Sequence, residues 1–410
     1  MKLGTSTCLY LAAFFSGLAV TADRAMAQWM ADGNPVCSVS GNQRDPAIVP
    51  DGTGGAIVVW IDSRDLNRDL YAQRITSDGD VFPGWPAGGV YLAPQVGELW
   101  IPVGVPDGTG GAILVWEDET DFNSTGTNVR AQRVTGGGVV ASGWPADGLL
   151  IGAAPDEQRK PRLIPDGSGG ALIVWQDERD DPDTTSIPIP DIYAVRITAD
   201  GAVAPGWLSG GTPIAVVPGE QLWPWIASDG AGGAYICWTD GRDLAETGGD
   251  IYLQRMTGTG EVYPGWPENG EPVCTVVGHQ VLPIAVEDGL GGVFLVWKDS
   301  RALPGSGAGD GYEDHYAIRI LGDGSIAAGW PADGLPVCLA PETQQNMVAA
   351  PDGLGGVVMA WEDYRSYVTG TGTAADIYAQ RVSADGTIPL GWPSDGVALT
   401  QALVFSSHRP

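Results

Sequence analysis

Six aspartates stand two places after six tryptophans: Asp62, Asp118, Asp177, Asp240, Asp299 and Asp363 follow Trp60, Trp116, Trp175, Trp238, Trp297 and Trp361. Two places further on, five copies carry an arginine (Arg64, Arg179, Arg242, Arg301, Arg365), and a second aspartate follows as Asp69, Asp191, Asp250, Asp314 and Asp376. Carboxylates and a guanidinium at this spacing have two uses. They could form repeated acid–base or calcium sites, or clamp the mouth of a hairpin by charge-assisted hydrogen bonds. A device present in nearly every copy reads as scaffold. The second copy departs, with Thr120 for the arginine and Asn128 for the second aspartate, so its hairpin is expected to be the loosest.

Positions that differ between copies carry more functional information, because binding residues concentrate on loops held by a rigid scaffold. Ahead of each Asp-Gly pair recur Pro46, Pro102, Pro161, Pro224 and Pro283, with Met347 breaking the series. Three places earlier recur Gln43, Gln158, Gln221, Gln280 and Gln344, with Leu99 the exception. Between these marks stand Arg44-Asp45, Trp100-Ile101, Arg159-Lys160, Leu222-Trp223, Val281-Leu282 and Gln345-Asn346. Trp100 and Trp223 offer flat apolar platforms, with Trp225 as a further candidate. Arg44, Arg159 and Lys160 offer donors in a chain with 21 Lys+Arg against 50 Asp+Glu. Aromatic faces with cationic donors suit sugars bearing carboxylates, or a peptide with acidic side chains. Arg44, Trp100, Arg159, Lys160 and Trp223 are the candidate ligand-binding residues, set against a reading in which the tryptophans simply pack between repeats. All five belong to units one to four, which predicts an off-centre site away from units five and six.

Catalytic signatures are missing from the sequence. It has no GxSxG elbow, no Cys/His pair, no HExxH and no glycine loop ahead of a helix. The chain therefore reads as a non-catalytic binding module for an extracellular glycan or peptide. The alternative is an extracellular glycoside hydrolase or lyase, whose carboxylate pair cannot be picked from so many Asp and Glu. No cofactor is expected, with calcium as the one alternative, at the oxygen-rich loops Asp180-Asp181-Pro182-Asp183 and Asp310-Gly311-Tyr312-Glu313-Asp314. Three histidines and no Cys-x-x-Cys argue against zinc. Cys37, Cys274 and Cys338 sit in one recurring phrase and Cys237 in an apolar run, so they read as small buried hydrophobes rather than a disulfide frame.

The elements that must position these residues follow from the same repeat. DGxGG, an apolar run and Trp recur six times, and a GWPxxG-like phrase recurs around Trp85, Trp144, Trp207, Trp266, Trp330 and Trp392, with Trp29 as an extra copy. Short runs rich in branched residues, such as Gly54–Trp60 and Gly291–Trp297, predict strands, as does the alternating DIYAQR at 376–381. Asp-Gly pairs supply the turns, and no segment carries a 3.6-residue apolar period. Four strands, here A to D from the inside outward, in each of six units of 56–64 residues predict an all-β, six-bladed β-propeller with four-stranded antiparallel blades. A seven-bladed or incomplete propeller is the alternative. Either the N-terminal phrase (28–39) or its C-terminal duplicate (396–402) could supply the closing strand. In such a blade the D–A connections and B–C loops share one face, and the near-invariant turns share the other.

The phrase DGxGGxxxxWxDxR…DIYAQR…DGxxxxGW resembles the repeat of secreted bacterial β-propeller proteins, over nearly the whole chain after residue 27. It is only distantly similar to the Asp-box turn of sialidases, since Asp and Gly are adjacent here. The resemblance implies a propeller fold and export, and it names no activity.

Residues 1–27 read as a signal peptide: Lys2, an apolar run to about Val20, and Ala25-Met26-Ala27 as the cleavage site, leaving 28–410 as one propeller domain. The expected location is extracellular or periplasmic. A formal charge of −29 argues against nucleic acid and anionic membranes as partners, and the chain is expected to be monomeric and soluble.

Overall fold

The computed structural model describes residues 29–400 apart from 31, 66, 94–98, 120–125, 153, 180–188, 302–312 and 366–374. The signal-peptide reading and both oxygen-rich calcium loops, except Glu313 and Asp314, lie outside the described residues. The described chain holds six four-stranded antiparallel sheets, each in the order of the sequence. Blade one runs through strands Gln43–Pro50, Ala56–Asp62, Asp69–Ile75 and Val90–Ala93. Blades two to six repeat this plan over 99–152, 158–215, 221–274, 280–338 and 344–400. The protein is a six-bladed β-propeller.

The Asp-Gly pair of each DGxGG phrase makes the A–B turn by side-chain capping. The Asp51 carboxylate accepts from the N–H groups of Thr53 and Gly55 and from the Arg74 guanidinium. Burial alone would raise its pKa, but these donors outweigh it and bring it down to about 2. Arg74 also donates to the Gly136 carbonyl of blade two, and Arg133, Arg196, Arg255 and Arg319 repeat the staple in the following blades. The indoles of Trp85, Trp144, Trp207, Trp266 and Trp330 donate to those same carbonyls. Uniform turns on this face are thus inter-blade fasteners, which is why they vary so little.

Between the sheets lie the strand-B tryptophans, with Trp116, Trp175, Trp238, Trp297 and Trp361 fully buried. Glycine is required beside them. Gly270 has φ +87°, and a Cβ there would sit 2.3 Å from the Trp238 ring. The recurrent Asp–Arg pair is scaffold: Asp240 accepts from the Trp238 indole at 2.7 Å and from Arg242, whose guanidinium lies over the Tyr252 ring. Arg242 continues to the Asn269 carbonyl, so the clamp ties strand B to the turn before strand D.

Blade two solves its missing arginine differently. Arg130 replaces the strand-C tyrosine and pairs with Asp118 from the opposite side, reaching the Gly148 carbonyl. The cost is visible at the Trp116 indole N–H, which is buried without an acceptor. Residues 120–125 of that hairpin lie outside the described residues. Cys237, Cys274 and Cys338 are buried and Cys37 is half-buried, all as free thiols.

Inner strands pack in series from blade one to blade six, but no comparable packing joins strand A of blade six to strand A of blade one. The C-terminal copy of the repeated phrase is strand D of blade six, Val397–Thr400, paired with Asp376–Val382. The N-terminal copy forms no strand and lies against blade one.

Candidate functional site

The D–A connections and B–C loops do share one face. The N–H groups of Gln158, Gln221 and Gln280, opening strand A, donate to Thr127, Pro190 and Gly249, the residues just before strand C of the preceding blade. The variable pairs of the sequence therefore enter the axis on the loop-rich face. Every strand A is bulged at this point, with the register slipping between residues such as Leu222 and Trp225.

At the bulge the backbone is left-handed. Asp45, Lys160, Trp223, Leu282 and Asn346 hold φ of 51°, 55°, 52°, 54° and 51°. Such a backbone costs a non-glycine residue on the order of 1 kcal/mol. A bulge re-aims its side chain, and strain of this kind concentrates at functional sites. None of these five positions uses glycine, although this chain places glycine at positive φ throughout its turns. The bulge N–H is satisfied by the preceding blade: Lys160 donates to Glu117, Trp223 to Gln176 and Leu282 to Thr239.

Three bulge residues with a common φ but different chemistry, Lys160, Trp223 and Leu282, join Asn346 around a pocket of about 500 Å³. Arg162, Trp225, Ile284, Met347 and Lys298 complete its wall, with Pro224, Pro283 and Gln345. The Arg162 guanidinium stands 4.9 Å from the Trp225 ring centre. Burial disfavours its charged form, and the field of Glu117 opposes that effect. Lys298 breaks the acceptor series one place after the strand-B tryptophan, and its ammonium pairs with Glu313. Among the described residues neither Lys160 nor Arg162 makes an ion pair, whereas most arginines there do. No Asp, Glu, His or Tyr among the described residues lines the pocket.

Of the five sequence candidates, Lys160 and Trp223 come together here. Arg44 is half-buried beside Asp45 in blade one, and Arg159 pairs with Glu157. Trp100 lies on strand Leu99–Pro106, and its side chain is outside the described residues. The pocket spans units three to six rather than the off-centre station the five candidates pointed to. Trp225, which the sequence offered as a third platform, joins the lining, whereas Arg162 and Lys298 were missed. The signal that would have found them is the same departure from the repeat: copies of Arg162 and Trp225 elsewhere are Ala47, Val103, Ile284 and Val348. No group of three metal-ligating side chains occurs among the described residues.

Comparison with known proteins supports the fold. No family model and no curated protein matches the chain. A polysaccharide lyase of the ulvan lyase type is similar at TM-score 0.51 and 8% identity, over 90% of this chain and 87% of that one. An α-L-arabinofuranosidase of Fusarium graminearum is similar at TM-score 0.43 and 12% identity, over 73% and 82%. A thermostable family-43 glycoside hydrolase is similar at TM-score 0.35 and 14% identity, over 76% and 99%. At 8% identity the ulvan lyase likeness shows the fold alone.

Proposed function

We propose that the axial pocket binds an acidic carbohydrate, with Lys160 and Arg162 holding its carboxylate or sulfate groups and Trp223 and Trp225 stacking on its rings. The observation that carries this is two cations without ion pairs beside two indoles, in a protein of charge −29. A half-buried guanidinium with no carboxylate partner is held ready for an anion brought by a ligand. Exposed indole faces meet the apolar faces of sugar rings. Export of the chain, read from residues 1–27, would place the pocket where such glycans occur.

One observation favours a second reading, that of a lyase acting on uronate-bearing polysaccharide. Elimination from a uronate needs its carboxylate neutralised and a base near the ring, and it needs no carboxylate pair. The lining offers Arg162, Asn346 and Gln345 for the first task and the Lys160 amine for the second. Glycoside hydrolysis by two flanking carboxylates has no support in this lining.

Binding to an array of uronate, sulfated and neutral oligosaccharides separates these outcomes. Acidic sugars are expected to bind, and the double change Arg162→Ala, Trp225→Ala to weaken them by on the order of 3 kcal/mol, about a hundredfold. Undiminished affinity in the folded variant would place the site elsewhere. Appearance of an unsaturated uronate chromophore, lost in Lys160→Ala, would establish the lyase reading over simple binding.

A further inference from the structure

Among the described residues, the inner parts of two apolar sheet faces, one on blade one and one on blade six, have no blade packed against them. Gly104 of blade two approaches Val49 of blade one so closely that a Cβ would lie 2.8 Å away. The residue three before each Asp-Gly pair therefore faces the preceding blade, and the residue two before faces the following one. Leu163, Ile226 and Ala285, at the first of these positions, are buried, yet Ile48 of blade one is 68% exposed. Across the gap, Ala350 of blade six, two before its pair, and Val348, two residues earlier on the same face of the strand, are exposed, Val348 at 64%, where Val286 and Ile284 of blade five are buried. Behind them Val58, Val358 and Ala360 are half-exposed, although their counterparts in blades three to five are fully buried.

The outer part of the blade-one face is already covered by Trp29–Val39, and in the repeat's own manner. The Trp29 indole donates to the Ser77 carbonyl as Trp85 donates to Gly136. Arg64 contacts the Cys37 thiol as Arg301 and Arg365 contact Cys274 and Cys338, the last residues of the preceding strands D. Asn34–Cys37 thus stands where a preceding blade's strand D would stand, with no strand C to pair with. Blade six cannot claim it, because that blade has its own strand D. At the other side of the gap, no carbonyl among the described residues accepts from the Trp392 indole, whereas the Trp330 indole finds Ala384 in the following blade.

We propose that the gap between blades six and one receives a seventh blade: a three-stranded antiparallel partner segment carrying the A, B and C phrases of this same repeat, completed by Asn34–Cys37 as its strand D. Backbone pairing to Asn34–Cys37 would set its register. Ile48 with Val58, and Val348 with Val358, would pack on its two faces. The occupant is specified by continuity with the contacts that Trp29–Val39 already makes.

The probe is the full chain extended after Pro410 by a second copy of its own residues 221–262, with a scrambled 221–262 extension as control. Hydrogen exchange at the amides of Asn34, Val36 and Cys37 is expected to slow by about tenfold or more in the extended chain and not in the control. Ile48→Asp and Val348→Asp, both exposed and so tolerated by the unextended protein, should remove that protection. Unslowed exchange in a folded extended chain would overturn the proposal. So would a concentration-dependent dimer of the unextended chain that Ile48→Asp abolishes, since a second copy would then be the occupant.

Discussion

At the scale of single residues, this protein shows one clamp reached by two routes. In five blades the arginine two places after the strand-B aspartate closes it; in blade two Arg130 approaches from strand C, where the others place an aromatic ring. Arg130→Ala removes the cation that pairs with buried Asp118, and removing one partner of a buried pair is the costly change. A loss of about 3 kcal/mol is expected in denaturant melts, against less than about 1 kcal/mol for an exposed pair. His315 offers a second residue-level test. It is buried edge-on against Trp361, neither ring nitrogen has a partner, and burial together with the Lys298 charge lowers its pKa to about 3. The folded state therefore binds this proton less readily than the unfolded state between about 3 and 6.5. Stability should rise with pH across that window and be lost on acidification. Asp250, raised to about 6 mainly by burial, acts in the opposite sense up to that pH. Comparing melting temperatures of the protein and His315→Phe at pH 4 and pH 7.5 isolates the histidine. The variant is expected to be the less acid-labile of the two, and equal acid losses would contradict the burial argument.

At the scale of elements, strand A is where folding and function part company. Its bulge holds non-glycine residues at φ near 50° in five blades, and the side chains there share no chemistry. Stability alone would favour glycine, which adopts this backbone without steric cost. Lys160→Gly and Trp223→Gly are therefore expected to leave stability unchanged or raise it by up to about 1 kcal/mol, while weakening acidic-glycan binding. Calorimetry and a binding titration on the same preparations check both halves. Destabilisation beyond about 1 kcal/mol would mean that these side chains are kept for packing. Strand B and the turn face behave oppositely, since the strand-B clamp closes each blade on itself and the turn-face arginines and indoles bond one blade to the next.

For the whole molecule, the N-terminal segment acts as an outer strand without a blade. Trp29, Asn34 and Cys37 tie it to Ser77, Gly79 and Arg64. Removing residues 29–39 should uncover blade one beside Trp60 and lower stability by on the order of 2–4 kcal/mol. Equilibrium unfolding of the shortened chain would show this, and an unchanged midpoint would mean the segment is merely resting there.

Six copies of one phrase were enough to read the strands, their order within a blade and the number of blades, because each blade is built from contacts between neighbours in sequence. Asp-Gly turns, glycine beside tryptophan and the Asp–Arg clamp are local devices, so their residue types and spacing declare them. The loop-rich face was legible for the same reason: an antiparallel order leaves D–A and B–C connections on one side. Convergence at the axis was not. Arg162, Trp225, Leu282 and Lys298 are far apart along the chain and meet only because blades three to six are arranged around one axis. Adjacent letters also diverge in fate. Arg159 turns to Glu157 while Lys160, one place on, is swung by the bulge into the pocket. Ring completion was likewise hidden, because the phrase at 28–39 and that at 396–402 are equivalent as sequence. Only the pairing of Val397–Thr400 with strand C of blade six shows which of them is used there, and it leaves Asn34–Cys37 beside an open face.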